Sequence, residues 1–156
     1  MSYGGAVLAV SIRTAVPADL DEIRAVFRRA SLSNEGDRAA LLAHPDVLVW
    51  PDTIAEGRTR VAVGPGGAIA GFASTVEVDG RLELEDLFVD PDRMRQQIAR
   101  RLVEDAVDQA RGRGVDCLEV EANPHAMAFY TAVGFVPYGT ARTRFGPAER
   151  LRLPLG

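Results

Sequence analysis

Lysine is absent from this chain of 156 residues, and all 18 of its cationic side chains are arginines. The chain therefore offers no lysine of its own as a site of acylation. Its 22 acidic side chains bring the net charge to −4. This balance disfavours nucleic acid as a partner, because proteins that bind a phosphate backbone usually present a basic surface.

Cysteine and histidine are almost as scarce. The single cysteine, Cys117, excludes a disulfide framework and indicates a reducing compartment, so we expect a cytoplasmic protein. Cys117 is a poor nucleophile candidate, because an apolar strand raises the pKa of a thiol. His44 and His125 have no cysteine or acid at the spacing of metal ligands, so we expect no metal site.

Long apolar runs are missing as well. Ala6–Val10 is short and follows no basic segment, so we expect neither a signal peptide nor a membrane span. The overall composition, 47% hydrophobic and 26% charged, is that of an ordinary soluble protein. At this length we predict one domain over residues 1–156.

The clearest local pattern lies in residues 82–122. Leu82–Val89 are strand formers, Asp90-Pro91-Asp92 interrupts them, and Val115–Val120 is a second short apolar strand. Between the strands, apolar residues recur on one helical face until Gly112 and Gly114: Ile98, Leu102, Val103, Ala106, Val107 and Ala110. This pattern predicts a parallel βαβ unit, whose first turn lies at the carboxyl end of the sheet and presents free N–H groups to an anion.

The rest of the chain adds strands and helices around this unit. We predict strands at Val10–Thr14, Arg60–Val63, Ile69–Val78, Phe135–Tyr138 and Arg150–Leu153, and helices from Pro17 and over Pro124–Ala132. Asp79-Gly80 predicts a two-residue hairpin turn. The expected fold is a single α/β domain with a mixed sheet of six or seven strands and helices on both faces.

Residues 31–58 are interpreted as a variable wall over the sheet. They contain a loop over Ser31–Gly36, a short helix predicted at Asp37–Ala43 and an apolar tract at Val47–Trp50. Trp50 either fills the core or lines a pocket for an acceptor.

Three segments carry a family resemblance: LFVDPDRMRQQIARRLVEDA, EANPHAMAFYTAVGF and IRTAVPADLDEI. The first resembles the cofactor-binding segment of the GNAT superfamily of acyl-CoA-dependent N-acetyltransferases, and the second resembles the segment that follows it. The resemblance implies a GNAT-like domain that moves an acetyl group from acetyl-CoA to a primary amine. Because no activated nucleophile is visible, we expect direct attack within a ternary complex.

The resemblance also implies where acetyl-CoA binds. In the family's turn, Met94 takes the place of Gln or Arg, Gln97 that of the first glycine and Ala99 that of the second small residue. If the turn holds pyrophosphate, we expect Gln97 to be helical, with its side chain turned from the ligand. The strand backbone near Phe88 and Val89 is expected to hydrogen-bond the thioester carbonyl. The expected contacts are Leu87, Phe88, Val89, Met94, Arg95, Gln96, Gln97, Ile98, Ala99, Arg100 and Asn123.

Several of these side chains have a second interpretation. Arg93, Arg95, Arg100 and Arg101 either contact phosphate or form a solvated helix face. Asn123 fits the family's cofactor-side asparagine and also the N-cap of a helix that begins with Pro124.

Three residues are candidates for proton transfer. By resemblance, Tyr130 lies near the thioester sulfur and protonates the leaving thiolate; the alternative is a buried core tyrosine. Glu83 and Glu85 share one face of their strand, and a carboxylate there can accept the proton of the amine. Glu83 matches the place of the family's strand base, although alternating acids also fit an exposed strand face.

Two other functional classes remain open at this point. One is a GNAT-like module that binds acyl-CoA or a partner without turnover, suggested by Met94 and Gln97. The other is a structural subunit that uses a sheet edge or the wall over residues 31–58 as an interface. For the acetyltransferase itself we expect a monomer or homodimer. The acceptor is equally open among a small amine, an antibiotic, a peptide N-terminus and a protein lysine.

Overall fold

The computed structural model describes residues 10–33, 54, 56–93, 97–124, 126–143 and 146–155. Within these residues it contains the strands β1 Ser11–Thr14, β2 Thr59–Val63, β3 Ile69–Val78, β4 Arg81–Val89, β5 Cys117–Ala122, β6 Val136–Thr143 and β7 Gly146–Pro154. The α-helices are α1 Leu20–Leu32, α2 Ile98–Gly112 and α3 Met127–Ala132.

All seven strands belong to one mixed sheet with the order β1-β2-β3-β4-β5-β7-β6. The β1–β2, β2–β3, β5–β7 and β6–β7 pairs are antiparallel, whereas β4 and β5 are parallel. Six or seven strands were expected, and the sheet has seven. The mixed α/β class is confirmed.

The βαβ unit is confirmed as β4–α2–β5. Its parallel ladder pairs Leu82 with Leu118, Glu83 with Glu119 and Leu84 with Val120. The leucines and valine of these pairs are buried, so the glutamates occupy the opposite face of the sheet. The alternation read from the sequence therefore places acids from both strands side by side.

Asp79-Gly80 forms the predicted two-residue turn between β3 and β4. Both residues have positive φ angles, 49° for Asp79 and 78° for Gly80. Two-residue hairpin turns of this kind match the right-handed twist of the flanking strands. The turn therefore sets the register in which β4 leaves the hairpin.

The described residues pack as two compact units, one containing residues up to Ser74 with Asp86–Leu102, the other Thr75–Glu85 with the residues from Val103 onward. In the first unit, α1 buries Ile23 and Val26 completely. They pack with Ala15, Ile54, Val61, Ile69 and Phe72. Val26 is more buried than Ala30 on the same helix.

The second unit has its own core. Its buried side chains come from three strands (β4, β5 and β7), from α2 and α3, and from the residue that precedes β6. They are Leu82, Leu84, Leu118, Val120, Leu151, Val103, Ala106, Ala110, Tyr130 and Phe135. Most of the predicted α2 stripe is thus confirmed, with Val107 only half-buried.

Several predicted boundaries are wrong by a few residues. α1 continues through Leu32, where a loop was predicted from Ser31. β5 begins at Cys117 rather than Val115, because the Val115 N–H donates to the Ala110 carbonyl (3.2 Å) at the end of α2. The predicted elements Asp37–Ala43 and Val47–Trp50, with Trp50 itself, lie outside the described residues.

Candidate functional site

The end of β4 is the first part of the candidate site, and Leu87, Phe88 and Val89 are half-buried there. The Phe88 ring packs edge-on against Phe27, with 4.9 Å between centroids, and stacks on Phe72 at 5.5 Å. These contacts hold the strand whose backbone was expected to meet the thioester.

Gly71 on β3 is the reason this backbone can approach so closely. A Cβ at Gly71 would lie 2.8 Å from the Phe88 carbonyl oxygen and 3.3 Å from both the Val89 Cα and the Ile98 side chain. A backbone oxygen cannot rotate away as a flexible side chain can. Glycine is therefore required at this position, which sequence reasoning missed, although a glycine inside a strand pattern is a signal of close backbone approach.

The turn between β4 and α2 follows directly. Pro91–Arg93 form one turn of 3-10 helix, and the Arg93 N–H donates to the Asp90 carbonyl at 2.8 Å. Met94, Arg95 and Gln96, all expected to contact the cofactor, lie outside the described residues.

Gln97 adopts a conformation that the sequence prediction had wrong. Its φ is +60°, in the left-handed region, and its side chain is exposed. A helical conformation was expected there for a turn that holds pyrophosphate. The family places glycine at this position, and the positive φ supplies a backbone reason for it, since glycine enters this region without a steric cost.

Replacing Gln97 with glycine is therefore expected to raise the free energy of unfolding by about 1 kcal/mol, because it removes the steric cost of a Cβ at positive φ. The affinity for acetyl-CoA should not fall. Chemical denaturation together with calorimetric titration measures both quantities. Gly112→Ala is the control in which a glycine is replaced rather than introduced. Gly112 closes α2 outside the left-handed region, and a Cβ added there would meet no atom within 4 Å. A loss of stability in Gln97→Gly would contradict the strain argument.

The start of α2 offers the backbone groups expected of an anion site. The Arg101 N–H donates to the Gln97 carbonyl at 3.0 Å, so the N–H groups before it have no partner within the helix. Ile98 is buried, Ala99 half-buried and Arg100 exposed. The Arg101 guanidinium donates to the Val10 carbonyl at 3.2 Å, and Arg101 is half-buried whereas Arg100 is exposed.

Tyr130 is 6% exposed and lies on α3. Its ring packs edge-on against Phe129 and Phe135, with 5.2 Å between centroids in each pair. Burial raises the pKa of the Tyr130 phenol above its ordinary value, so the group stays protonated at any working pH. Among the described residues its hydroxyl has no hydrogen-bond partner, which leaves its proton available to a ligand.

Glu83 and Glu85 occupy one face of β4, as predicted. Glu83 is half-buried and Glu85 is exposed. Burial raises the pKa of Glu83, and the nearby charges of Glu121, Glu119 and Glu85 raise it further, against the opposing effect of Arg150. A carboxyl whose pKa lies closer to neutrality is better matched to accept a proton from an amine.

Asn123 caps a turn but is not the N-cap of the helix, which is Ala126. Its side-chain Oδ1 accepts the Ala126 N–H at 3.1 Å, and its carbonyl accepts the same N–H at 3.0 Å. The capped residues form a turn, and the helix starts only at Met127, later than the predicted Pro124. The exposed side chain stays a cofactor-side candidate, because capping uses only its oxygen.

A buried carboxylate on β5 was not anticipated. Glu119 is 3% exposed and accepts a hydrogen bond from the Tyr138 hydroxyl at 2.7 Å. Its Oε2 lies 3.1 Å from Arg81 and 3.4 Å from Arg152. Burial opposes its ionisation, but the Tyr138 hydroxyl and the two arginines hold the pKa of Glu119 below its ordinary value. The partners of Glu119 thus lower its pKa, whereas the pKa of Glu83 is raised.

The remaining chemical candidates are weak. Burial raises the pKa of the Cys117 thiol, as expected of a poor nucleophile. Within the described residues no three His, Cys, Asp or Glu side chains are arranged to hold a metal ion, and His44 and His125 lie outside them. No helix in the described parts of the chain is both long and apolar enough to cross a bilayer.

Comparison with known proteins places the chain among acetyltransferases. The model of the acetyltransferase (GNAT) family matches residues 21–135, which include β4, the turn, α2 and Tyr130. The ribosomal protein bS18-alanine N-acetyltransferase of Escherichia coli K12 is 39% identical over 72 residues, which cover 44% of this chain and 49% of that protein. The streptothricin acetyltransferase of Streptomyces lavendulae is 41% identical over 86 residues, covering 52% and 46%. The chain thus spans about half the length of these relatives.

Solved structures share the fold over nearly the whole chain. The ribosomal-protein-S18-alanine N-acetyltransferase of Escherichia coli has a TM-score of 0.70 at 26% identity and covers 94% of both chains. The PaiA N-acetyltransferase of Thermoplasma acidophilum, solved in complex with coenzyme A, has a TM-score of 0.72 at 16% identity and covers 93% of this chain and 98% of that chain. Because the PaiA protein is only 16% identical, its similarity to this chain shows the fold alone.

Proposed function

Because this chain belongs to the acetyltransferase (GNAT) family, we propose that it transfers an acetyl group from acetyl-CoA to a primary amine. The observation that carries the proposal is the family match over residues 21–135, which contains every candidate site residue. Both relatives are named as acetyltransferases, and the fold neighbour PaiA was solved with coenzyme A.

The cofactor is assigned to the end of β4 and the start of α2. The free N–H groups at the start of α2 suit the pyrophosphate, since a helix N-terminus favours negative charge. Arg100, exposed on the first turn of α2, adds a charge-assisted donor. The backbone of Leu87–Val89 hydrogen-bonds the acetyl carbonyl, and Asn123 contacts the cofactor with its amide.

The chemistry follows from direct attack. The amine nitrogen forms a bond to the acetyl carbon, and the bond from that carbon to the cofactor sulfur breaks. Glu83, or Glu85 in its place, accepts the proton that the amine loses, directly or through water. Tyr130 donates a hydrogen bond to the sulfur and passes its proton as negative charge develops there. Its raised pKa keeps the phenol protonated before the reaction, but it also makes the phenol a weaker acid, so transfer depends on the negative charge that develops on the sulfur.

The acceptor is proposed to be a cationic primary amine. The two relatives are named for an alanine of a ribosomal protein and for streptothricin. In this chain, Glu83, Glu85 and Glu121 contribute negative charge to the second unit, offset by the ion pair of Arg150 with Glu121 at 3.3 Å. Such a face favours a protonated amine in the encounter, before the proton is removed.

The test is a titration with acetyl-CoA followed by an assay for released coenzyme A thiol with a panel of cationic amines. We expect binding that weakens as salt is raised from 0.05 to about 0.5 M, because phosphate contacts are screened. We also expect thiol release that depends on the amine. Binding without release under any amine would favour a binding module, and no binding would overturn the proposal.

A further inference from the structure

Asp90, between β4 and the turn, makes a set of contacts that the proposed chemistry does not use. Its side chain is 12% exposed and lies 2.6 Å from the Arg29 guanidinium of α1. Its Oδ1 accepts the Asp92 N–H at 3.1 Å. Its own N–H donates to the Ala70 carbonyl at 2.8 Å, and its carbonyl accepts the Arg93 N–H at 2.8 Å. One residue therefore joins the end of the strand, the turn and α1.

The charge of Asp90 is the second observation. Burial alone would raise the pKa of Asp90, but the hydrogen bonds from Arg29 and from the Asp92 amide hold it below its ordinary value. Asp90 is therefore ionised at neutral pH. A buried carboxylate beside a turn that binds pyrophosphate would repel the ligand, unless a cation neutralises it.

We propose that the Arg29–Asp90 ion pair is a positioning device for the cofactor turn. It fixes the backbone of residues 90–93, where β4 ends, and it masks a negative charge at the entrance to the anion site. The inference rests on the proposed function, because it requires that this turn hold the cofactor phosphates. Arg29 acts on the cofactor through Asp90 rather than by touching it.

Two simpler roles make different predictions. If the pair only stabilises the fold, its loss lowers the melting temperature and leaves the affinity for acetyl-CoA unchanged. If Arg29 contacts phosphate itself, its loss weakens binding whether or not Asp90 carries a charge. A double-mutant cycle separates these cases from the proposal, because it measures whether the effect of Arg29 depends on Asp90.

The cycle uses Arg29→Met, Asp90→Asn and the double variant in the full chain. Asparagine keeps the oxygen that accepts the Asp92 N–H and removes the charge. Arg28→Met is the matched control, because Arg28 is exposed on the same helix and has no ion pair within the described residues. For each protein the dissociation constant for acetyl-CoA, the kcat at saturation and the melting temperature are measured.

We expect Arg29→Met to weaken acetyl-CoA binding about tenfold, a size typical of residues that act on a site without touching its ligand. Its kcat at saturation should change less than twofold. Asp90→Asn should weaken binding less, and the double variant should bind no worse than Asp90→Asn. Arg28→Met should bind as the parent does.

Three outcomes would overturn the inference. They are parent-like affinity in Arg29→Met, an equal loss in Arg28→Met, and an undiminished effect of Arg29→Met in the Asp90→Asn background. If Arg29→Met alone does not fold, the double variant decides, because binding much weaker than that of Asp90→Asn counts against the proposal. A parent that does not bind acetyl-CoA would remove the proposed function as well, which separates the two failures.

Discussion

Replacing Tyr130 with phenylalanine is expected to lower kcat about 10²-fold, because the leaving sulfur then loses its proton donor. The affinity for acetyl-CoA and the melting temperature should stay near those of the parent. The ring contacts with Phe129 and Phe135 do not involve the hydroxyl, and no described residue hydrogen-bonds to it. Steady-state kinetics, calorimetry and thermal denaturation measure the three quantities.

Tyr138→Phe is the matched control for this variant. The Tyr138 hydroxyl already donates to the buried carboxylate of Glu119 at 2.7 Å, so its removal should lower the melting temperature and leave kcat unchanged. An unchanged rate in Tyr130→Phe would identify Tyr130 as a core residue only. An equal loss of rate in both variants would show that kcat responds to general loosening rather than to a particular hydroxyl.

Replacing Glu83 with glutamine is expected to remove the acidic limb of the pH–rate profile and to lower the rate about 10²-fold at neutral pH. A base works only when deprotonated, so the parent's rate should rise with pH through the pKa of Glu83. Because burial and neighbouring acids raise that pKa, the midpoint should lie above the ordinary value of 4.5. The profile of kcat/KM reports this group in the free enzyme, which is the state in which its pKa is raised.

The stability of the same variant carries a second signature. A carboxyl with a raised pKa in the folded state destabilises the fold as pH rises from the unfolded pKa through the folded one. Above that window Glu83→Gln should therefore be as stable as the parent or more so, while its activity is lost. Glu85→Gln is the comparison, because Glu85 shares the strand face and is exposed. Retention of the acidic limb in Glu83→Gln and its loss in Glu85→Gln would assign the base to Glu85.

The local parts of the fold were predictable because their signals are local. The positive φ angles of a two-residue turn explain Asp79-Gly80, and the 3.6-residue spacing identifies the buried face of α2. A strand, a helix and a second strand of these lengths predict a parallel pair of strands. The identity of the cofactor turn and of Tyr130 came from resemblance to a family, which spacing alone would not provide.

The sequence by itself determined the βαβ unit, the hairpin turn and the alternation of acids on β4 and β5, because each depends on residues close together in the chain. Only the tertiary structure paired Arg29 with Asp90, 61 positions apart, and enclosed Glu119 between Tyr138, Arg81 and Arg152. In the sequence these side chains have the pattern of a solvated face. Whether a charged side chain is solvated or buried depends on which strand and helix pack beside it. The spacing of residues within one segment does not identify those neighbouring segments.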